Sequence, residues 1–178
     1  MSQEARKYLS SERYRLKSKY DYRRFQSLTE YVAQIRQERG ISAAEARKMA
    51  FRIIPKEAFY QKKILEALGQ EYPNGRFRKV AQGFGSKSGE PDVDGLLGME
   101  FGSKSVYVEV KRPLIGEATP LQVKAVREIR QAGGCAMIAS YPDEVVAAVG
   151  AYLRGEPYWK GLTGCTEAVA EGEDECLE

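Results

Sequence analysis

From Pro55 onward, segments with the period of a helix alternate with segments with the period of a strand, and this order restricts the possible folds. Residues 105–111 alternate valine with polar or aromatic side chains, which is typical of a β-strand. Residues 135–140 are continuously apolar, which predicts a strand covered on both faces and therefore central in its sheet. Between them, Thr119 as N-cap and Gln122 three residues later predict the start of a helix.

The complete order after Pro55 is helix, strand, strand, strand, helix, strand and helix. The predicted segments are 55–68, 76–82, 92–99, 105–111, 119–132, 135–140 and 142–153. Such an order predicts the α/β class, with a mixed central sheet flanked by helices on both faces. Before Pro55, helical spacing and capping residues predict two further helices, over 27–38 and from Ser42 to about Phe51.

Charge is distributed unevenly along the chain. Residues 1–52 carry 13 lysines and arginines against six acidic residues, whereas residues 161–178 carry six acidic residues and no basic one. With Pro55 as a boundary, we expect three parts. They are a basic helical extension over 1–54, a folded domain over 55–160 and an acidic tail over 161–178, which we expect to be disordered.

Basic and aromatic side chains alternate between residues 13 and 24. Such a segment suits contact with phosphates and stacking on bases, so it favours a nucleic-acid partner. The same pattern equally allows a helix that docks on the domain through its tyrosines. The candidate nucleic-acid contacts, which include one lysine of the glycine-rich loop 83–89, are Arg13, Arg15, Lys17, Lys19, Arg23, Arg24 and Lys87.

Several classes of function are excluded by composition. The chain has no histidine, which removes Ser-His-Asp and Cys-His catalysis and every histidine-ligated zinc site. Its three cysteines have no metal-ligand spacing, and Cys135 is expected to be a small core residue. No apolar run approaches the length of a membrane span, and the N-terminus lacks the apolar stretch of a signal peptide. We therefore expect a cytoplasmic protein without a membrane partner.

Two carboxylates and a lysine form the strongest candidate site. Asp92 follows a proline, and Glu109 and Lys111 lie on one face of the predicted strand 105–111 because side chains alternate along a strand. If the strand that begins at Asp92 pairs with it as a hairpin, Asp92 lies near Glu109. Two neighbouring carboxylates repel each other unless a cation lies between them, and Mg²⁺ prefers such oxygen ligands. The nearby lysine could assist a water or stabilise charge on a phosphate.

The predicted helix 55–68 supplies a third carboxylate. Glu57 shares a face with Ile64 and Leu68, which should pack on the sheet, whereas Glu66 should face solvent. Glu57 is therefore a candidate metal ligand, directly or through water. Asp94 lies on the same strand face as Asp92 and could share its role. The spacing also allows an exposed strand face with a plain salt bridge between Glu109 and Lys111.

The motifs in order resemble a known group of nucleases. Gly89-x-Pro91-Asp92, then Tyr107-Val108-Glu109-Val110-Lys111, then Thr119-x-x-Gln122 are similar to the PD-(D/E)xK nuclease superfamily, and more narrowly to the VRR-NUC family. The resemblance covers roughly residues 55–146. It implies a restriction-endonuclease-like α-β-β-β-α-β core and hydrolysis of DNA that depends on Mg²⁺ or Mn²⁺.

Carried over by position, the resemblance assigns roles to five side chains. Asp92 and Glu109 would be metal ligands, Lys111 the catalytic lysine, Glu57 the helix acid and Gln122 a residue that lines the site. Gln122 could instead serve only the capping box with Thr119.

The resemblance also implies an endonuclease of phage or bacterial origin that selects branched, flap or junction DNA, and it allows a homodimer. Two alternatives remain: a non-catalytic nucleic-acid-binding protein on the same fold, and a protein-interaction or inhibitor module.

Overall fold

A computed structural model describes residues 11–80, 90–159 and 162 of the chain. Its helices and strands, in chain order, are α1 (Leu28–Arg39), α2 (Ala43–Ile53), α3 (Glu57–Glu71), β1 (Arg76–Lys79), β2 (Val93–Leu96), β3 (Ser105–Val110), α4 (Pro120–Gln131), β4 (Cys135–Ala139) and α5 (Pro142–Leu153). Two 3₁₀ turns, Ser18–Tyr20 and Met99–Phe101, complete the regular structure. The predicted order of elements is confirmed, although β1 and β2 are shorter than expected. None of the described helices is both long enough and apolar enough to cross a membrane.

The four strands form one mixed sheet in the order β1-β2-β3-β4. β1 pairs with β2 and β2 with β3 in antiparallel fashion, whereas β3 and β4 are parallel. The predicted α/β class with a mixed, helix-flanked sheet is therefore confirmed.

The prediction that the apolar strand 135–140 is central was wrong, because β4 ends the strand order among the described residues. Its five residues are nevertheless all buried, because α4 covers one face and α5 the other. On the side of β4 away from β3, the backbone groups of Ala136 have side-chain hydrogen-bond partners. The Ala136 N–H donates to the Tyr158 hydroxyl at 3.2 Å, and Arg130 Nε donates to the Ala136 carbonyl at 2.8 Å. A covered edge strand can therefore be as apolar as a central one.

The helices cover the two faces of the sheet unequally. On one face, α3 and α5 pack on Val93 of β2 and on the valines of β3, which are Val106, Val108 and Val110, and form the main core. On the other face, α4 packs mainly on β3 and β4 through Val126, Ala136 and Ile138. The side chains of Asp92 and Glu109 lie on this second face, because Val93 and Val108 point into the main core.

Residues before Pro55 are docked on the rest of the protein. The α1–α2 hairpin has its own apolar cluster, which includes Tyr22, Phe25 and Ile54, and Leu114 and Ile115 of the loop after β3 pack against it. The Tyr22 N–H donates to the Tyr141 hydroxyl at 2.8 Å. The described residues before Pro55 are therefore docked, as the tyrosines allowed, but residues 13–24 form only the 3₁₀ turn Ser18–Tyr20 and not a longer helix. The proposed division at residue 54 stays a prediction, as does disorder over 161–178, nearly all of which lies outside the described residues.

Candidate active site

Pairing between β2 and β3 brings Asp92 and Glu109 together. Val93 lies opposite Val108 in the antiparallel register, so the preceding Asp92 falls opposite the following Glu109. Both side chains are buried, at 3% and 1% exposure. The Val110 N–H donates to Asp92 Oδ2 at 2.9 Å, which holds that carboxylate against the end of β3. The hairpin predicted from the sequence thus places the two carboxylates next to each other.

The two carboxylates share a dry environment and affect each other's ionisation. Burial raises the pKa of Glu109 to about 7, and the negative charge of Asp92 contributes to the same shift, although the hydrogen bond from Lys111 opposes it. Burial likewise raises the pKa of Asp92, and the two side chains are close enough to share a proton. Glu109 Oε2 is buried and accepts no hydrogen bond. A buried acceptor without a donor is costly, so this position suits a proton or a cation.

The other carboxylate oxygen of Glu109 is held by two donors. Lys111 Nζ donates to Glu109 Oε1 at 2.6 Å, and Lys111 is itself buried. Gln122 Nε2 donates to the same oxygen from the start of α4. With Oε1 occupied in this way, Oε2 is the oxygen left to accept a ligand.

Gln122 forms the capping box predicted from the sequence and also contacts Glu109. Its Oε1 accepts from the Thr119 N–H at 2.8 Å, and its own N–H donates to Thr119 Oγ1 at 3.3 Å, which completes a capping box. Its Nε2 group remains available to reach Glu109. A glutamine amide has an oxygen that accepts and an NH₂ group that donates, so the same side chain can cap α4 and also donate to Glu109.

Glu57 lies beside this pair without completing a three-carboxylate cluster. It is half-buried at the start of α3, and burial raises its pKa, with a smaller contribution from Asp92. Gln61 Nε2 lies 3.5 Å from Glu57 Oε1. Across residues 11–80, 90–159 and 162, however, no three acidic or thiol side chains converge on a common cation position. The residues present fit a magnesium site of two direct carboxylates, since Mg²⁺ keeps several waters. Contact from Glu57 would then pass through water.

Asp94 does not join the carboxylate pair. Arg78 donates to both of its oxygens, from Nε at 2.7 Å and from Nη2 at 2.8 Å. Both oxygens of Asp94, two residues after Asp92 on the same strand face, are therefore bound by Arg78. As predicted, Glu66 faces solvent, where it pairs with Lys63.

Two basic residues near the site were not singled out from the sequence. Burial raises the pKa of both Glu57 and Asp92, and the charge of Lys79, at the end of β1, opposes part of that rise. Arg112 follows Lys111 and donates to the carbonyls of Phe51, Ile54 and Pro55, which attaches the end of α2 to the end of β3. The position of Lys79 could have been found by pairing β1 with β2 as a hairpin. The role of Arg112 has no signal in the local sequence, because its partners lie more than 50 residues away.

The basic residues before Pro55 divide into two groups. Arg13 and Arg15 pair with Glu71 and Asp21, and Arg23 is bound by Asp21 and Asp143, with Glu144 nearby. Contact of Arg23 with nucleic acid stays a prediction, although two carboxylates of the protein bind its guanidinium group. Lys17, Lys19 and Arg24 are exposed, and their contact with nucleic acid stays a prediction. Lys87 and Gly89 lie outside the described residues.

Comparison with known proteins gives one similar fold. A solved structure described as "VRR_NUC domain" is similar to this chain with a TM-score of 0.42 and 19% sequence identity, over 52% of this chain and 97% of that one. No family model matches the sequence, and no curated protein matches it. At this identity and TM-score, the similarity assigns no role to any residue of the chain.

Proposed function

We propose that this chain is a divalent-metal-dependent nuclease that hydrolyses phosphodiester bonds in DNA. The observation that carries the proposal is the contact between the buried carboxylates of Asp92 and Glu109, with Lys111 on one side and an unsatisfied Glu109 oxygen on the other. Two buried carboxylates in contact are unfavourable on their own, and a metal ion would relieve their repulsion. A salt bridge on an exposed strand face would have required neither the burial nor the second carboxylate.

Asp92 and Glu109 would hold the ion. A bound Mg²⁺ or Mn²⁺ supplies positive charge that polarises a phosphodiester and activates a water. Lys111, 2.6 Å from Glu109 Oε1, places its ammonium group where it stabilises negative charge on the phosphate. Gln122 orients Glu109, and Glu57 orients water at the start of α3. A preference for branched, flap or junction DNA and assembly into a homodimer belong to the same proposal.

Removal of either carboxylate should abolish cleavage. We expect Asp92→Asn and Glu109→Gln each to lower the rate by at least about 100-fold, because each removes a charge needed to hold the ion. The measurement is cleavage of labelled duplex, single-stranded, flapped and four-way DNA with Mg²⁺ or Mn²⁺. Glu66→Gln is the matched control, since it neutralises a carboxylate on the solvent side of α3 and should cut at the wild-type rate.

Two results would contradict this proposal. Full activity of both site variants would remove the assignment of the site. Absence of cleavage by the wild-type protein on every DNA, with binding retained, would favour the non-catalytic nucleic-acid-binding alternative. Metal binding has a separate readout: Mn²⁺ should raise the Tm of the wild-type protein and of Glu66→Gln, but not that of Glu109→Gln.

A further inference from the structure

The sheet face that bears the carboxylate pair continues into an uncovered half. Opposite residues in antiparallel strands point to the same side, so the row Arg78, Asp94 and Tyr107 follows the row of Asp92 and Glu109. The next row on this face contains Arg76 and Leu96. Successive rows are about 7 Å apart, since a strand rises about 3.4 Å per residue. Because α4 packs mainly on β3 and β4, it leaves the β1–β2 half of this face open.

These rows line a groove of about 300 Å³, whose lining residues are Arg76, Arg78, Asp94, Gly95, Leu96 and Tyr107. Arg76 and Arg78 are exposed, and Leu96 is 51% exposed. Tyr107 is half-buried between the groove and the cluster under α4. The groove therefore combines two guanidinium groups, one aromatic ring and one apolar side chain.

Asp94 orients Arg78 in the groove without occupying all its donors. The carboxylate accepts from Nε and Nη2 of Arg78, along one edge of the guanidinium group. The Nη1 group lies on the other edge and can donate to another acceptor. An arginine held in this way is suited to a phosphate, because it is positioned before the phosphate arrives.

We propose that this groove binds an unpaired nucleic-acid strand beside the phosphodiester that is cut, an inference that rests on the proposed nuclease function. Arg76 and Arg78 contact consecutive phosphates, and Tyr107 stacks on a base. Leu96 contacts the apolar surface of a base or sugar. The rows align with the carboxylate pair, so a strand that follows them leads into the site. The inference favours an unpaired strand because stacking on a tyrosine requires a free base face, which a duplex does not offer.

The inference is tested by binding without cleavage. Anisotropy of a fluorescein-labelled oligothymidine is measured in EDTA at several salt concentrations. We expect Arg76→Gln and Arg78→Gln each to weaken binding by about threefold to tenfold and to lower the salt slope by about 0.7, the value for one phosphate contact on a single strand. Lys62→Gln is the charge-matched control, because Lys62 is exposed on α3, which covers the opposite face of the sheet.

The aromatic contact has its own pair of variants. Tyr107→Leu should weaken binding by about fivefold or more, whereas Tyr107→Phe should bind like the wild type because it keeps the ring. Circular dichroism verifies that both variants are folded. Equal binding by Tyr107→Leu and Tyr107→Phe, or an equal loss in Lys62→Gln and the two arginine variants, would overturn the proposal.

The groove and the nuclease function can fail separately. If the wild-type protein cuts no DNA while the groove variants still lose oligothymidine binding, the nuclease proposal fails and the groove stands as a strand-binding site. If the wild-type protein cuts DNA and the groove variants bind oligothymidine like the wild type, the groove proposal fails alone.

Discussion

Glu109 has a different environment at each of its two oxygens. Oε1 accepts from Lys111 and Gln122, whereas Oε2 is buried without a donor. Burial raises the pKa of this carboxyl to about 7. Such an arrangement disfavours the free ionised side chain and favours either its protonated form or its ionised form with a bound cation.

The raised pKa makes stability depend on pH. Between pH 4.5 and about 7 the folded protein keeps a proton on Glu109 that the unfolded chain has released. The contribution of this proton to the free energy of unfolding is therefore complete below pH 4.5 and is lost as pH rises through about 7. Glu109→Gln has no such proton. In EDTA we expect this variant to gain about 2 kcal/mol in free energy of unfolding relative to wild type between pH 5 and pH 8.

Urea unfolding of both proteins at the two pH values measures this difference, and Glu66→Gln is the control. A constant difference between Glu109→Gln and the wild type would show that Glu109 is ionised at pH 5.

At the scale of elements, register and capping together assemble the site. The β2–β3 register aligns Asp92 with Glu109, and the capping box at the start of α4 directs Gln122 to the same carboxylate. The capping residues were predictable, because Thr119 and Gln122 are local in sequence. Contact between Gln122 and Glu109 was not predictable from spacing, since it depends on where α4 crosses β3.

The capping contact of Gln122 and its contact with Glu109 can be separated by substitution. Glutamate at this position keeps the capping box but replaces the donor to Glu109 by a second carboxylate. We therefore expect Gln122→Glu to stay folded and to lower cleavage by about tenfold or more. Thr119→Ala removes the cap and should lower stability by about 1 kcal/mol, with a smaller effect on cleavage.

Thermal unfolding and cleavage of the two variants are measured together. The expectation is contradicted if Gln122→Glu cuts as fast as the wild type, or if both variants lose cleavage only in proportion to their loss of stability.

At the scale of the whole molecule, the residues before Pro55 are attached to the α/β part at several points. Arg23 lies between Asp21 and Asp143 and stacks on the Tyr141 ring at 4.5 Å from its centroid. Arg112 attaches the end of α2 to the end of β3, beside Glu109 and Lys111. Because of these contacts, the α1–α2 hairpin lies beside the candidate site.

Adjacent arginines should therefore differ in their effect. Arg23→Gln removes a half-buried charge from two carboxylates and should lower the free energy of unfolding by about 2 kcal/mol. Arg24→Gln alters an exposed side chain, so its effect on stability should stay within about 0.5 kcal/mol. Urea unfolding measures both values, and equal stability of the two variants would show that Arg23 does not hold the segment in place.

The sequence alone determined the order of elements, the capped helix starts and the residue types of the site, because these depend on neighbours within a few positions. It also indicated that Glu109 and Lys111 share a strand face. Only the tertiary structure decided that Asp94 pairs with Arg78, that β4 ends the strand order among the described residues and that Arg23 pairs with carboxylates of the protein. Each of these depends on contacts between residues distant in sequence, and helical or strand periodicity does not record which distant partner a side chain meets.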